Sequence, residues 1–170
     1  CPRGVNTEQY SPDRKSDEVR SEMQRLANIP EAATILLYAG RLSPEKNIGL
    51  LVDMMKILSK DPDHDFRLLV AGAGPQAEWL QKQSDKRAPD KIIQLGHLDK
   101  DLLAGFYANA DVFVHPNPRE PFGIAPLEAM ASGIPTLAPN AGGILSYATN
   151  ENAWLVEPNG EDFAAAVREI

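Results

Sequence analysis

Apolar positions along this chain come in two rhythms. Short continuous runs recur at Ile35-Leu36-Leu37-Tyr38-Ala39, Phe66-Arg67-Leu68-Leu69-Val70-Ala71, Ile92-Ile93-Gln94-Leu95, Asp111-Val112-Phe113-Val114-His115, Pro135-Thr136-Leu137-Ala138 and Trp154-Leu155-Val156. Each has strand length and lacks strict alternation, the pattern of a strand covered on both faces. Between them apolar residues recur three and four apart, the helical period. This predicts helices over residues 16–26 (Val19, Met23, Leu26), 48–59 (Leu51, Val52, Met55, Leu58), 76–84, around Leu102, Leu103, Phe106 and Tyr107, over 124–132 (Leu127, Met130, Ala131) and from 162 to 170. Strand–helix alternation predicts an α/β fold with a doubly wound parallel sheet of about six strands. No repeat of 20–50 residues recurs. Residues 1–170 read as a single domain, with a lead-in and surface helix over 1–30 and a core over 31–170.

Chemistry concentrates after the fourth strand, in Arg119-Glu120-Pro121-Phe122-Gly123-Ile124-Ala125-Pro126-Leu127-Glu128-Ala129-Met130-Ala131-Ser132-Gly133. A strand, a polar loop and a helix N-terminus form the binding edge of a parallel sheet, where free N–H groups face anions. Glu120 precedes the helix and Glu128 lies more than a turn inside it, with the N–H groups of Gly123 and Ile124 between them in sequence. Gly123 has no Cβ, which lets an anion approach the backbone. A ligand with hydroxyls at both ends and negative charge between them suits this order, and a nucleotide-sugar has that layout. Taken alone, two such glutamates are more often a solvated loop residue and a surface pair.

The loop after the first strand, Gly40-Arg41-Leu42-Ser43-Pro44-Glu45-Lys46-Asn47, puts Arg41 and Lys46 on the same sheet edge. An arginine fork and a lysine point charge both suit phosphate oxygens. The plainer alternative pairs them with Glu45 in solvent. Gly72-Ala73-Gly74-Pro75 ends the second strand, and Gly72 and Gly74 permit close backbone approach, although a tight strand-to-helix turn explains them equally. The absent third glycine excludes a dinucleotide fingerprint. Asp61-Pro62-Asp63-His64-Asp65 precedes a strand instead of leaving one, and reads as a solvated turn.

Composition narrows the function classes. Hydrophobic content of 43% and charged content of 24% are ordinary for a globular domain. A net charge of −7 argues against nucleic-acid binding, which needs a basic face. One cysteine excludes an internal disulfide framework and a cysteine-rich zinc site, and His64, His97 and His115 lack metal-ligand spacing. With no apolar run of membrane-span length and no visible signal peptide, the expected setting is cytoplasmic. The chain starts at Cys1 and ends inside a helical pattern, so it reads as a piece of a longer protein.

Glu-Pro-Phe-Gly-Ile-Ala-Pro-Leu-Glu-Ala-Met-Ala-Ser-Gly-Ile-Pro, from Glu120 to Pro135, resembles the glutamate–seven residues–glutamate signature of retaining glycosyltransferases with the GT-B fold, family four in the usual classification. The resemblance covers almost the whole chain. It implies a Rossmann-like domain, the carboxy-terminal, donor-binding half of a GT-B enzyme, with the acceptor domain in an amino-terminal half absent from this chain. Glu120 would contact the donor sugar and Glu128 the ribose. Pro121 stands where the family usually has glycine. Arg41 and Lys46 match the diphosphate-binding pair, and with Glu120 they form the expected catalytic set. Gly72 and Gly74 resemble the turn facing the nucleotide. Gly96 and His97 lie in the loop that contacts the base. Gly142 and Gly143 resemble the turn set against phosphates and sugar, and Ser146 stands where many members carry glutamate. The lead-in, Pro-Arg-Gly-Val-Asn…Tyr-Ser-Pro, resembles the segment joining the two halves, with Asn6 for aspartate and Tyr10 for phenylalanine, closest in flavour to lipid-directed mannosyl- and sulfoquinovosyl-transferases.

The implied activity is hexosyl transfer from a UDP-, GDP- or ADP-sugar to a glycan or lipid acceptor, with no cofactor and no metal, and with peripheral membrane contact of the full-length enzyme. The fragment alone is expected to be inactive. The alternatives weighed beside it are a non-catalytic nucleotide-sugar-binding module and a nucleotide-sugar epimerase of the same fold. A phosphorylase would need a pyridoxal-binding lysine segment, and none matches.

Overall fold

The computed structural model describes residues 6–121 and 123–170. The Pro-Arg-Gly-Val start of the lead-in, at residues 2–5, and Phe122 of the signature lie outside the described residues. The strands are β1 (Thr34–Ala39), β2 (Phe66–Ala71), β3 (Ile92–Gly96), β4 (Val112–Val114), β5 (Thr136–Pro139) and β6 (Trp154–Val156). The helices are α1 (Asp17–Ala27), α2 (Ile48–Leu58), α3 (Ala77–Arg87), α4 (Lys100–Asn109), α5 (Ile124–Ala131) and α6 (Gly160–Glu169).

The six strands form one parallel sheet in the order β3-β2-β1-β4-β5-β6. The apolar runs are continuous because each strand feeds two cores. On β1, Leu36 and Tyr38 pack with α2, α3 and α6, while Ile35, Leu37 and Ala39 pack with α1, α4 and α5. A third small cluster of Ala138, Ile144, Ala148 and Ala153 closes the β5–β6 side. Strand order reverses between β1 and β4, so the loops leaving these neighbours run to opposite sides and open a crevice at their carboxyl ends.

Several elements differ from the sequence expectation in informative ways. α3 runs a turn further than residue 84, to Arg87, and stops where Ala88 precedes Pro89, a position that disfavours helix. On α1 the inner residues are Met23 and Ala27, and Leu26 is 53% exposed. On α5 the buried residues are Pro126 and Ala129, with Leu127, Met130 and Ala131 only partly covered. This short helix sits between two clusters, so it is gripped along more than one stripe. Pro126 falls in its first turn, where the missing N–H breaks no helical bond.

At the opposite end of the sheet, the Asp61 carboxylate accepts the Asp63 and His64 N–H groups at 2.9 and 3.0 Å and meets Arg168 at 3.2 Å. The turn forms as expected, but Asp61 is held in it by Arg168. Asp111 anchors the start of β1 by accepting the Ile35 N–H at 2.7 Å, and it takes a two-pronged grip from Arg20 of α1 at 3.0 and 3.1 Å.

Candidate functional site

Two adjoining cavities open where β1 and β4 part. The smaller, about 350 Å³, is lined by Tyr38, Lys46, His115, Asn117, Glu120 and Gly123 among others. The larger, about 620 Å³, is lined by Arg41, Gly72, His97, Leu98, Tyr107 and Glu128 among others. Ala39, Gly40, Ile124 and Ala125 line both, so the exit of β1 and the start of α5 form a shared wall. The eight-residue spacing of the glutamates acquires a spatial meaning here. Glu120, on the loop before α5, faces the smaller cavity, and Glu128, on α5, faces the larger.

Glu120 is held from two sides. Lys46 Nζ lies 3.0 Å from its Oε2 and 3.3 Å from its Oε1, and Asn117 Nδ2 donates to Oε2 at 2.8 Å. Lys46 therefore pairs with Glu120, 74 residues away, and not with its neighbour Glu45, which accepts from the Ser43 hydroxyl at 2.7 Å. Asn117 Oδ1 accepts the Arg119 N–H at 2.9 Å, and Asn47 Nδ2 donates to the Pro116 carbonyl at 3.0 Å, tying the β1 and β4 loops together. Charge-assisted bonds of this kind are among the stronger side-chain contacts. In this arrangement the cation and the carboxylate neutralise each other within the cavity.

Glu128 is set differently. Tyr107 donates to its Oε1 at 3.3 Å, and Tyr10 of the lead-in lies against the same carboxylate. The two tyrosine rings meet edge to face at 5.7 Å. Burial of the Glu128 carboxyl raises its pKa, outweighing the two hydroxyls and Lys100, which lower it. Burial likewise pushes Tyr10 up to about 12, reinforced by Glu128, so its hydroxyl stays protonated and able to donate.

Gly123 is the N-cap of α5 at φ +89°, a conformation few side chains adopt, and a Cβ there would lie 2.9 Å from the Tyr147 hydroxyl. Its lack of a side chain thus serves the backbone turn and makes room for Tyr147, which donates to its carbonyl. Ile124 and Ala125 follow as the first helical residues, whose N–H groups precede the first helical bond, from Leu127 N–H to the Gly123 carbonyl.

The remaining glycines divide. Gly72 lines the larger cavity, and a Cβ on it would fall 1.8 Å from the Gly40 carbonyl oxygen. Gly74 meets the Leu42 carbonyl in the same way and lines neither cavity. Gly96 accepts the Gly72 N–H at 2.8 Å and also lines neither, whereas His97, exposed, does line the larger one. Gly142 and Gly143 sit behind the Glu120 loop. The Gly143 N–H donates to the Glu120 carbonyl at 2.7 Å, and a Cβ on Gly142 would press on the Pro118 carbonyl at 2.7 Å. They brace the loop from outside the cavities. Ser146 turns back to the Gly143 carbonyl at 2.8 Å.

Tyr38, Tyr107, His115 and Asn117 also line the cavities, and no motif in the sequence marks them. Their signal was position: Tyr38 sits near the end of β1, and His115 and Asn117 directly follow β4, the two strands at the reversal. Among the described residues, no group of three or more His, Cys, Asp or Glu side chains is placed to hold a metal ion.

The profile of the family described as Glycosyl transferases group 1 matches residues 19–170. A GDP-mannose-dependent alpha-(1-6)-phosphatidylinositol dimannoside mannosyltransferase of Mycobacterium tuberculosis is 31% identical over 169 residues, 99% of this chain and 42% of that protein. A sulfoquinovosyl transferase of Arabidopsis thaliana is 35% identical over 142 residues, 84% of this chain and 26% of that protein. Among solved structures, an Anabaena protein in complex with UDP-glucose superposes with a TM-score of 0.83 at 22% identity, over 98% of this chain and 45% of that one, a likeness of fold. The chain thus spans less than half the length of these proteins.

Proposed function

The chain belongs to the Glycosyl transferases group 1 family, and on that premise we propose that it is the donor-binding half of a retaining hexosyltransferase. One observation carries this reading: two carboxylates eight residues apart open into two cavities that share a wall of cation-flanked backbone. A nucleotide-sugar laid across them puts its nucleoside in the larger cavity, with Glu128 on the ribose. The diphosphate crosses the shared wall, near Arg41, Lys46 and the first N–H groups of α5. The sugar enters the smaller cavity beside Glu120. His97 borders the nucleoside end.

In the transfer, the bond from the anomeric carbon to the diphosphate oxygen breaks, the acceptor hydroxyl oxygen forms the new bond, and its proton passes to the departing diphosphate oxygen. Negative charge grows on the departing diphosphate. Arg41, Lys46 and the helix terminus stabilise that charge more in the transition state than in the ground state, which lowers the barrier. Lys46 leaves Glu120 to do so, which frees the carboxylate for a sugar hydroxyl. These cations take the part a metal plays in other transferases, so transfer is metal-independent in this reading. The acceptor, a glycan or a lipid, is supplied through the rest of a longer protein, and the relative named for phosphatidylinositol dimannoside favours work at a membrane surface.

Calorimetric titration of the domain with UDP, GDP and ADP, and with UDP-glucose, GDP-mannose and ADP-glucose, with and without chelator, tests the reading. Saturable binding of one nucleotide series, unchanged by chelator, is expected. No binding across the panel overturns the proposal, and binding lost in chelator and restored by magnesium or manganese overturns its metal-free part.

A further inference from the structure

His115 follows β4 at the base of the smaller cavity, and its surroundings do not account for it. The residue is only 7% exposed, and its backbone N–H donates to the Leu137 carbonyl at 2.8 Å, as a strand residue should. The residue lines the cavity together with Tyr38, Lys46, Asn117 and Glu120. Its Nε2 is fully enclosed and has no hydrogen-bond partner among the described residues, the only such buried side-chain atom found there. A buried polar atom left unpaired costs on the order of 1–3 kcal/mol, so an imidazole kept at such a place points to a partner that arrives from outside. A leucine would fill the same volume without that cost.

Burial holds the imidazole down to about 4, with Lys46 lowering it further and Glu120 opposing. At neutral pH the ring is uncharged and offers one N–H and one lone pair. It is thus unsuited to neutralising a diphosphate and suited to a hydroxyl, which can both donate and accept. The neighbouring groups divide accordingly: Lys46 is the cation of this cavity, and Glu120 accepts only.

We propose that His115 is a specificity-determining residue that hydrogen-bonds a hydroxyl of the donor sugar, beside the hydroxyl taken by Glu120, so that the cavity selects a hexose bearing both. This rests on the donor-binding reading above. It predicts that His115 acts on the sugar alone and leaves nucleoside diphosphate binding untouched. A site that hydrogen-bonds a hydroxyl also discriminates against the deoxy sugar, because its own polar atom is then left unpaired.

The test titrates the parent chain, His115→Leu and His115→Gln with UDP, UDP-glucose, GDP and GDP-mannose, after thermal melts confirm folding. The expected result is a roughly three- to tenfold loss of affinity for the bound nucleotide-sugar in His115→Leu, the worth of a neutral hydrogen bond. The matching nucleotide should be unaffected, and His115→Gln should recover part of the loss. Equal affinities of parent and variants for the nucleotide-sugar overturn the inference and leave the donor-binding reading standing. Equal losses for nucleotide and nucleotide-sugar also overturn it, since His115 then acts on the phosphates or the fold. A parent that binds no nucleotide overturns both. One measurement needs no variant: the chain has three histidines, and ¹⁵N-histidine spectra of the parent should show the His115 ring nitrogens moving with the nucleotide-sugar and not with the nucleotide. Identical spectra in the two complexes contradict the proposal.

Discussion

At the residue scale, the two glutamates are held in opposite ways. Glu120 is satisfied by Lys46 and Asn117. Glu128 sits against two hydroxyls in a partly buried place, and its pKa is raised, chiefly by desolvation. A carboxylate whose folded pKa exceeds its unfolded one costs stability when ionised: its contribution is fully present below the unfolded pKa and is lost as pH rises through the folded pKa. Glu128 is therefore kept at some expense to the empty domain at neutral pH. Glu128→Gln keeps an acceptor for Tyr107 and removes the charge. It should raise the melting temperature of the unliganded domain at pH 7, with the gain shrinking as pH falls through the carboxylate range. A lower melting temperature at pH 7 would show that the hydroxyl bonds outweigh desolvation. A functional carboxylate that destabilises its own fold is common at binding sites.

At the element scale, the loops leaving β1 and β2 are packed backbone to backbone, as are those leaving β4 and β5, and this rigidity holds the cavity wall. Gly72 is the tightest point, with the Gly40 carbonyl oxygen 1.8 Å from where a Cβ would stand. Gly72→Ala should cost at least the 1–3 kcal/mol, roughly, of an overpacked core, read as a lowered denaturation midpoint. Gly49→Ala is the control. A Cβ there meets only Trp79 at 3.6 Å inside α2, so stability should be unchanged or higher by up to about 1 kcal/mol. Equal effects of the two would mean the β1–β2 loop yields easily.

The elements themselves were largely legible in the sequence, because a strand covered on both faces leaves a continuous apolar run and Gly or Pro marks its exit. The same runs place Arg41, Lys46, Glu120 and Glu128 at one sheet edge, but position alone favours solvated side chains, and it is the signature from Glu120 to Pro135 that singles them out. The Lys46–Glu120 pairing was not, since 74 residues separate the partners and nothing local indicates it. Nor was the bracing of the Glu120 loop by Gly142 and Gly143, because a paired glycine reads the same whether its open side faces a ligand or a carbonyl. His115 was hidden because an isolated histidine after a strand shows no sign of whether its ring is paired.

At the scale of the whole molecule, the sheet reversal between β1 and β4 explains why one chain offers two cavities with a common wall. The β1 side brings Arg41 and Lys46, the β4 side brings His115, Asn117 and Glu120, and α5 carries the line of contact on to Glu128. On the proposed reading, cations gathered at this one edge are what let a chain of net charge −7 accept a diphosphate. The central claim is that a nucleotide-sugar spans this wall with its ribose at Glu128 and its sugar at Glu120. Titrating Glu120→Gln and Glu128→Gln beside the parent, each with the preferred nucleoside diphosphate and its sugar-bearing form, tests it most directly. A hydrogen bond to a shielded carboxylate is worth about 1.5–3 kcal/mol, a loss of roughly ten- to hundredfold in affinity. Glu128→Gln should weaken both ligands alike, and Glu120→Gln should weaken only the sugar-bearing one. A Glu120→Gln variant that loses the bare diphosphate as severely as the nucleotide-sugar would contradict the account.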